Sequence, residues 1–383
     1  MKALSLSLVL AFVVISSAGR PPAAMASQDA NSPSPQAPVV TSAADGIFAA
    51  FQTHPLVGLC DNHGMAQEED FFAALIRDKR FATDVGNVVV EFGDAAQQNT
   101  VDRYVSGEDV PYEQLRKVWS DTVGWIPTVA ALGYINFYAQ VREVNQGLPP
   151  EQRIHVWLGD PPVDWSRIQP KSDLSQVIGN LFKERDQYPA DLIAAQILAK
   201  KKKALVIYGT IHFYGEKKLK ALVEQRQPGA FFVVTPYFGF IEKSCSDAFE
   251  RAIHDWPHPA LAVPVRDSSL KGILRTPGCH YWSASAFSFP PNETESEKAK
   301  EMEDIENWSS GVAGDALLYL DSAASLTQSP LSPDLYLDED FRKEIDRRAF
   351  MMNGQHLTWP TVRSNPVSPR FLHSYSENGQ GAK

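Results

Sequence analysis

Four apolar runs in this chain each stop on a titratable side chain, and that recurrence constrains the fold more than any other feature. Leu56-Val57-Gly58-Leu59-Cys60 runs into Asp61-Asn62-His63-Gly64, and Val88-Val89-Val90 runs into Glu91. Ile154-His155-Val156-Trp157-Leu158 leads to Gly159-Asp160, and Leu205-Val206-Ile207-Tyr208 to Gly209-Thr210-Ile211-His212. Short continuous apolar runs suit strands buried on both faces, as in a parallel sheet. In such sheets the working groups collect just past the carboxyl ends of the strands. The pattern therefore predicts parallel strands whose ends deliver acids and histidines to one edge.

The rest of the chain fits the same plan. Further strands are expected over 231–235, 261–265 and 315–320. Helices are expected from Ser42 to just before His54-Pro55, and over 65–80, 95–105, 112–119, 125–144, 216–225 and 338–351. One or two more fall in 173–202, with a break near Pro189. Helical segments between strands imply right-handed crossovers. The expected class is α/β, with a mostly parallel central sheet, helices on both faces and helical insertions.

The N-terminus reads as a targeting segment. Lys2 precedes an apolar stretch from Leu4 to Ile15, and Ala24-Met25-Ala26 supplies a small-residue cleavage site. This gives a signal peptide over 1–26, a disordered Pro- and Ser-rich leader over 27–40, and one α/β domain over 41–360. A polar, lid-like excursion is expected near 290–309 and a tail over 361–383. No later segment is apolar enough for a membrane span, so the mature protein is expected to be exported, periplasmic or secreted. Over 383 residues the formal net charge is -10, which argues against a nucleic-acid partner. The densest basic run, Lys200 to Lys203, suits the end of a helix. Cys60, Cys245 and Cys279 are too few and too widely spaced for a disulfide framework, and whether Cys245 and Cys279 pair is left open.

Four residues stand out as candidates for chemistry. His63 lies in a strand-end loop, where an imidazole titrating near neutrality can exchange protons. Asp61, two residues earlier, points to the same side of an extended chain and can orient it. Glu91 ends a buried run and needs a partner, for which His63, Arg103 or a metal are candidates. His212 ends another run. Asp160, Tyr214 and Tyr237 join Arg103 as candidate substrate- or ligand-binding residues. A nucleophile elbow, a phosphate loop, a dinucleotide fingerprint and a His-Glu-x-x-His helix are all missing from the sequence.

Taken in order, Asp61-Asn62-His63-Gly64, Val88 to Glu91, Asn99 with Tyr104-Val105-Ser106-Gly107, and Gly209-Thr210-Ile211-His212 resemble the erythromycin esterase, ChaN haem-uptake and Tiki grouping. The resemblance covers roughly Leu56 to Phe238. The esterase branch has Gly-Glu, two residues and then His, where this chain has Cys60-Asp61, one residue and His63. The spacing is nearer the haem-uptake branch, which has glutamate where Asp61 stands. The stretch from Asn99 to Gly107 is more like the esterase branch.

The leading expectation is an exported hydrolase acting on an ester or amide of a small molecule or peptide. His63 would be the general base, Asp61 its orienter, and Glu91 would hold the base or the water. His212 would stabilise negative charge or protonate the leaving group. In a metal-dependent version Asp61, His63, Glu91 and His212 would hold manganese or zinc. The alternative is a ChaN-type haem- or small-ligand-binding protein, with His63, His212, Tyr214 or Tyr237 as axial ligand.

Overall fold

The apolar runs form the centre of an eight-stranded sheet in the computed structural model. The structure describes residues 36–123, 131–168, 179–279, 294, 296, 314–353, 356 and 357. The expected signal peptide, most of the leader, nearly all of the 290–309 excursion and the tail lie outside the described residues. The strands are β1 (Val39–Ser42), β2 (Leu56–Asp61), β3 (Asn87–Asp94), β4 (His155–Asp160), β5 (Ala204–Gly209), β6 (Phe231–Pro236), β7 (Ala260–Val263) and β8 (Ala316–Tyr319). Their order across the sheet is β1-β7-β8-β6-β2-β5-β3-β4. From β8 to β4 every pairing is parallel, and only β7 runs against its neighbours β8 and β1.

Successive strand residues point to opposite faces, and both faces are covered. Val57, Leu59, Val88, Val90, Leu205 and Ile207 enter one apolar cluster. Leu56, Cys60, Val89, Val206 and Tyr208 enter a second. The first cluster is closed by α1 (Ala43–Ala50), α2 (Ala66–Arg77), α3 (Gln98–Val105), α4 (Tyr112–Ser120) and α5 (Leu132–Gln146). The second is closed by α6 (Gly179–Gln196) and α7 (Leu219–Glu224). Helix α2 shows the local logic: Glu68 and Glu69 occupy its first turn and Arg77 its last, while Phe71, Phe72, Leu75 and Ile76 are buried. The chain is therefore an α/β protein with a mostly parallel sheet between two helical layers.

Several expectations are corrected. Val39 and Val40, assigned to the leader, begin β1, which pairs with β7 from Val39↔Val263 to Ser42↔Ala260. Their β-branched side chains favour extended pairing more than the surrounding prolines prevent it. Helix α6 runs unbroken through Pro189. The proline removes one helical hydrogen bond, and burial of Ala190, Ile193 and Ile197 in the second cluster outweighs that loss. Helix α8 (Lys243–Ala252) and the short α9 (Ser269–Leu274) and α10 (Asp334–Leu337) were not expected, and α11 (Glu339–Asn353) closes the described chain.

Cys245 in α8 is bonded to Cys279, past the end of α9, with Cα atoms 5.7 Å apart. Cys60 is the free, buried thiol. The bond closes a loop of 34 residues, so replacing both cysteines with serine is expected to lower the free energy of unfolding by about 4 kcal/mol. Urea unfolding under non-reducing conditions measures this, and equal stability of the two proteins would refute it.

Candidate functional site

The order β2-β5-β3-β4 lines up the carboxyl-terminal parts of four strands, and these with the segments that follow β2 and β5 carry the site. In the parallel register Asp61 of β2 stands beside Gly209 of β5, and Asp94 of β3 beside Asp160 of β4. Since β5 lies between β2 and β3, any side chain at position 209 would stand between His63 and Glu91. A Cβ there would lie 3.0 Å from His63 Nε2 and 3.2 Å from Glu91 Oε2. Glycine keeps that space open, and its N–H donates to Glu91 Oε2 at 2.5 Å.

The loop that carries His63 is tightly held. Asn62 donates from its backbone N–H and its side-chain amide to the two oxygens of Glu68, each at 2.8 Å. Gly64 turns the chain with a φ of +85°, in the left-handed region that favours glycine. His63 Nδ1 lies 2.9 Å from Asp61 Oδ2, and the Tyr134 hydroxyl donates to that same oxygen at 2.6 Å. Nε2 of His63 is 3.8 Å from Glu91 Oε2. The side chain is 31% exposed, so this ring is within reach of a substrate.

Glu91 is buried, and its carboxylate is surrounded by cations. Arg185 of α6 donates to Oε1, and His212 Nε2 is 3.3 Å from the same oxygen. Burial alone would raise the Glu91 pKa, but His212, Arg185 and His63 together hold it well below the usual carboxylate range. His63 responds in the opposite sense. Burial works to lower its pKa, yet Asp61 and then Glu91 raise it to about 9. Burial likewise lowers His212, and Glu91 and Asp186 outweigh it and raise the group.

The structure brings Asp61, His63, Glu91 and His212 together, and assigns His212 a place different from the one expected. Its side chain is only 4% exposed, with Nδ1 2.7 Å from Asp186 Oδ1 and Nε2 facing Glu91. Both nitrogens are engaged, so it has no free atom for a substrate. Asp160 is buried and structural, accepting from Arg185 Nε at 3.1 Å and from the Val123 N–H. Burial pushes it up to about 6 despite Arg185. Arg103 pairs with Glu108 at 2.8 Å and not with Glu91. Tyr214 bonds Thr235 at 2.9 Å, and the fully buried Tyr237 donates to Glu250 at 3.0 Å. A cleft of about 1100 Å³ between α4 and α11 contains none of these residues. Of the cations that line it, Arg116, Arg347 and Arg348 are paired with Asp338, Glu344 and Asp121.

The donor atoms of the site bear on the cofactor expectations. Glu91 Oε1 already meets a guanidinium and an imidazole, and Oε2 meets a backbone N–H. Cations of the protein itself thus stand where a metal would bind. Among the described residues no group of three or more His, Cys, Asp or Glu side chains is arranged to hold a metal ion. For haem, three of the four proposed axial ligands (His212, Tyr214 and Tyr237) are committed to protein partners. Only His63 presents a partly exposed ring.

Arg185, Asp186 and Tyr134 were missed by sequence reasoning. Arg185 and Asp186 sit in Glu184-Arg185-Asp186, a charged stretch that reads as the solvent face of a helix, and nothing local marks them as buried. Tyr134 reads as one more aromatic residue in an apolar helix.

No family model and no curated protein matches the chain. Among solved structures, a Bacillus cereus protein is similar at 12% identity, covering 72% of this chain and 90% of its own, with a TM-score of 0.39. The type III effector HopBA1 is similar at 15% identity, covering 54% of this chain and 88% of its own, with a TM-score of 0.32. ChaN of Campylobacter jejuni, whose structure has cofacial haem bound, is similar at 12% identity over 52% of this chain and 88% of its own, with a TM-score of 0.33. These are loose likenesses of chain path, and no function is transferred from them.

Proposed function

We propose that this chain is a hydrolase that activates water with His63 against an ester or amide of a small molecule or peptide. The observation that carries this reading is the geometry of His63. Its Nδ1 is held by Asp61 and its Nε2 is directed toward Glu91 across the space left by Gly209, on a ring that remains partly exposed. A carboxylate on Nδ1 fixes the tautomer and orientation of an imidazole and leaves Nε2 as the proton-transfer atom. Water seated between Nε2 and a substrate carbonyl would lose a proton to the ring, and the same proton would later pass to the leaving group. Glu91, held ionised, orients the ring from the far side. Export is part of this proposal, and the Cys245–Cys279 bond supports it, because disulfides persist in oxidising compartments.

A panel of activated esters and amides tests the reading. His63→Ala is expected to lose about 10²–10⁴-fold in kcat with the fold intact. Because the neutral ring is the base and the pKa is raised to about 9, kcat is expected to climb through the alkaline range toward a plateau above that value. A chain inactive across the panel, or a His63→Ala variant as active as the parent, would sink the proposal.

The same shift has a stability consequence of opposite sign. The folded protein favours the protonated ring, so this contribution is fully present below pH 6.5 and is lost as pH rises through about 9. Chemical unfolding across that window is expected to show a decline that His63→Ala reduces. An identical pH dependence in both proteins would contradict the ion-pair account.

A further inference from the structure

The site contains a second aspartate–histidine pair that faces inward. His63 and His212 are arranged alike about Glu91. Each places Nδ1 against an aspartate, Asp61 at 2.9 Å and Asp186 at 2.7 Å, and each directs Nε2 at one oxygen of Glu91. They differ in access, since His63 is partly open and His212 is closed off. The surroundings of His212 are also fixed from several elements. The Tyr208 ring of β5 packs edge-on at 5.5 Å, and Arg185, the neighbour of Asp186 on α6, bonds the same Glu91 oxygen. Lys218 lies 3.6 Å from Oδ2, the other oxygen of Asp186.

We propose that Asp186 and His212 act as a buried positioning pair. They set the place and charge of Glu91, and through Glu91 the orientation of the His63 ring. The inference rests on the hydrolase reading only for its kinetic arm. The bland alternative is specific: Asp186 also accepts the Leu219 N–H at 2.9 Å and so anchors the start of α7. A purely anchoring Asp186 would affect His212 and α7 and leave His63 untouched. A positioning Asp186 must be felt at His63, on the other side of Glu91.

The test uses Asp186→Asn in the full chain. Asparagine keeps an acceptor for Leu219 and for His212, but removes the charge. Long-range ¹H–¹⁵N spectra of the histidine side chains are recorded for the parent, Asp186→Asn and Asp186→Ala, with thermal unfolding of each. Displaced His63 and His212 ring signals in Asp186→Asn, with melting near that of the parent, are the expected result. His63 signals that superimpose on those of the parent while His212 moves would overturn the proposal. If Asp186→Ala does not fold, the asparagine variant still decides. Where an ester is turned over, a positioning defect is expected to lower kcat by on the order of 100-fold with KM little changed. A parent chain that hydrolyses nothing would end the hydrolase reading, and the ring signals would still decide the role of Asp186.

Discussion

An ionised carboxylate buried in the carboxyl-terminal half of a central strand is the constraint around which this molecule is arranged. Taking such a charge out of water costs several kcal/mol unless counter-charges and hydrogen bonds replace the lost solvent. Glu91 receives them from four places: the Gly209 N–H at the end of β5, His212 just beyond it, Arg185 from α6, and His63 at 3.8 Å. Helix α6 therefore does more than cover apolar surface. Ala190 and Ile193 bury it against the sheet, and Arg185 and Asp186 connect that same helix to Glu91 and His212.

The arrangement also explains a division of labour between two similar histidines. Both have a carboxylate on Nδ1 and both face Glu91. What separates them is solvent: His63 sits in a strand-end loop, 31% exposed and facing the space left by Gly209, and His212 is closed off against Tyr208 and the Asp186 of α6. Proton exchange with a substrate requires an accessible nitrogen, so only the outer ring is suited to it. The inner ring is suited to holding charge in place.

Much of the sheet was legible in the sequence because strands buried on both faces have a plain signature. Val88-Val89-Val90 and Leu205-Val206-Ile207 admit little else, and their side chains divide between the two clusters as alternation requires. Strand β1 was hidden by the prolines and serines preceding it, and the continuity of α6 by Pro189. In both cases a local signal was overridden by long-range structure that no window of sequence contains, pairing with β7 for the largely exposed β1 and burial against the sheet for α6. Asp61, His63, Glu91 and His212 were legible as a set because each ends an apolar run. Their roles were not. Arg103, near Glu91 in sequence and correctly charged, pairs with Glu108, and the guanidinium that reaches Glu91 comes from residue 185.

The apolar runs alone were enough to place Asp61, Glu91, Asp160 and the two histidines toward the carboxyl ends of strands, because hydrophobic runs set the strands and the polar residues that follow them collect on one side of the sheet. The choice of neighbours was left to the tertiary structure. Placing β5 between β2 and β3 put Gly209 in the gap between His63 and Glu91, and docking α6 brought Arg185 and Asp186 beneath them. Proton affinity and access depend on charges and solvent within a few ångströms, and those distances are set by crossover order and packing, which are not local properties of the chain.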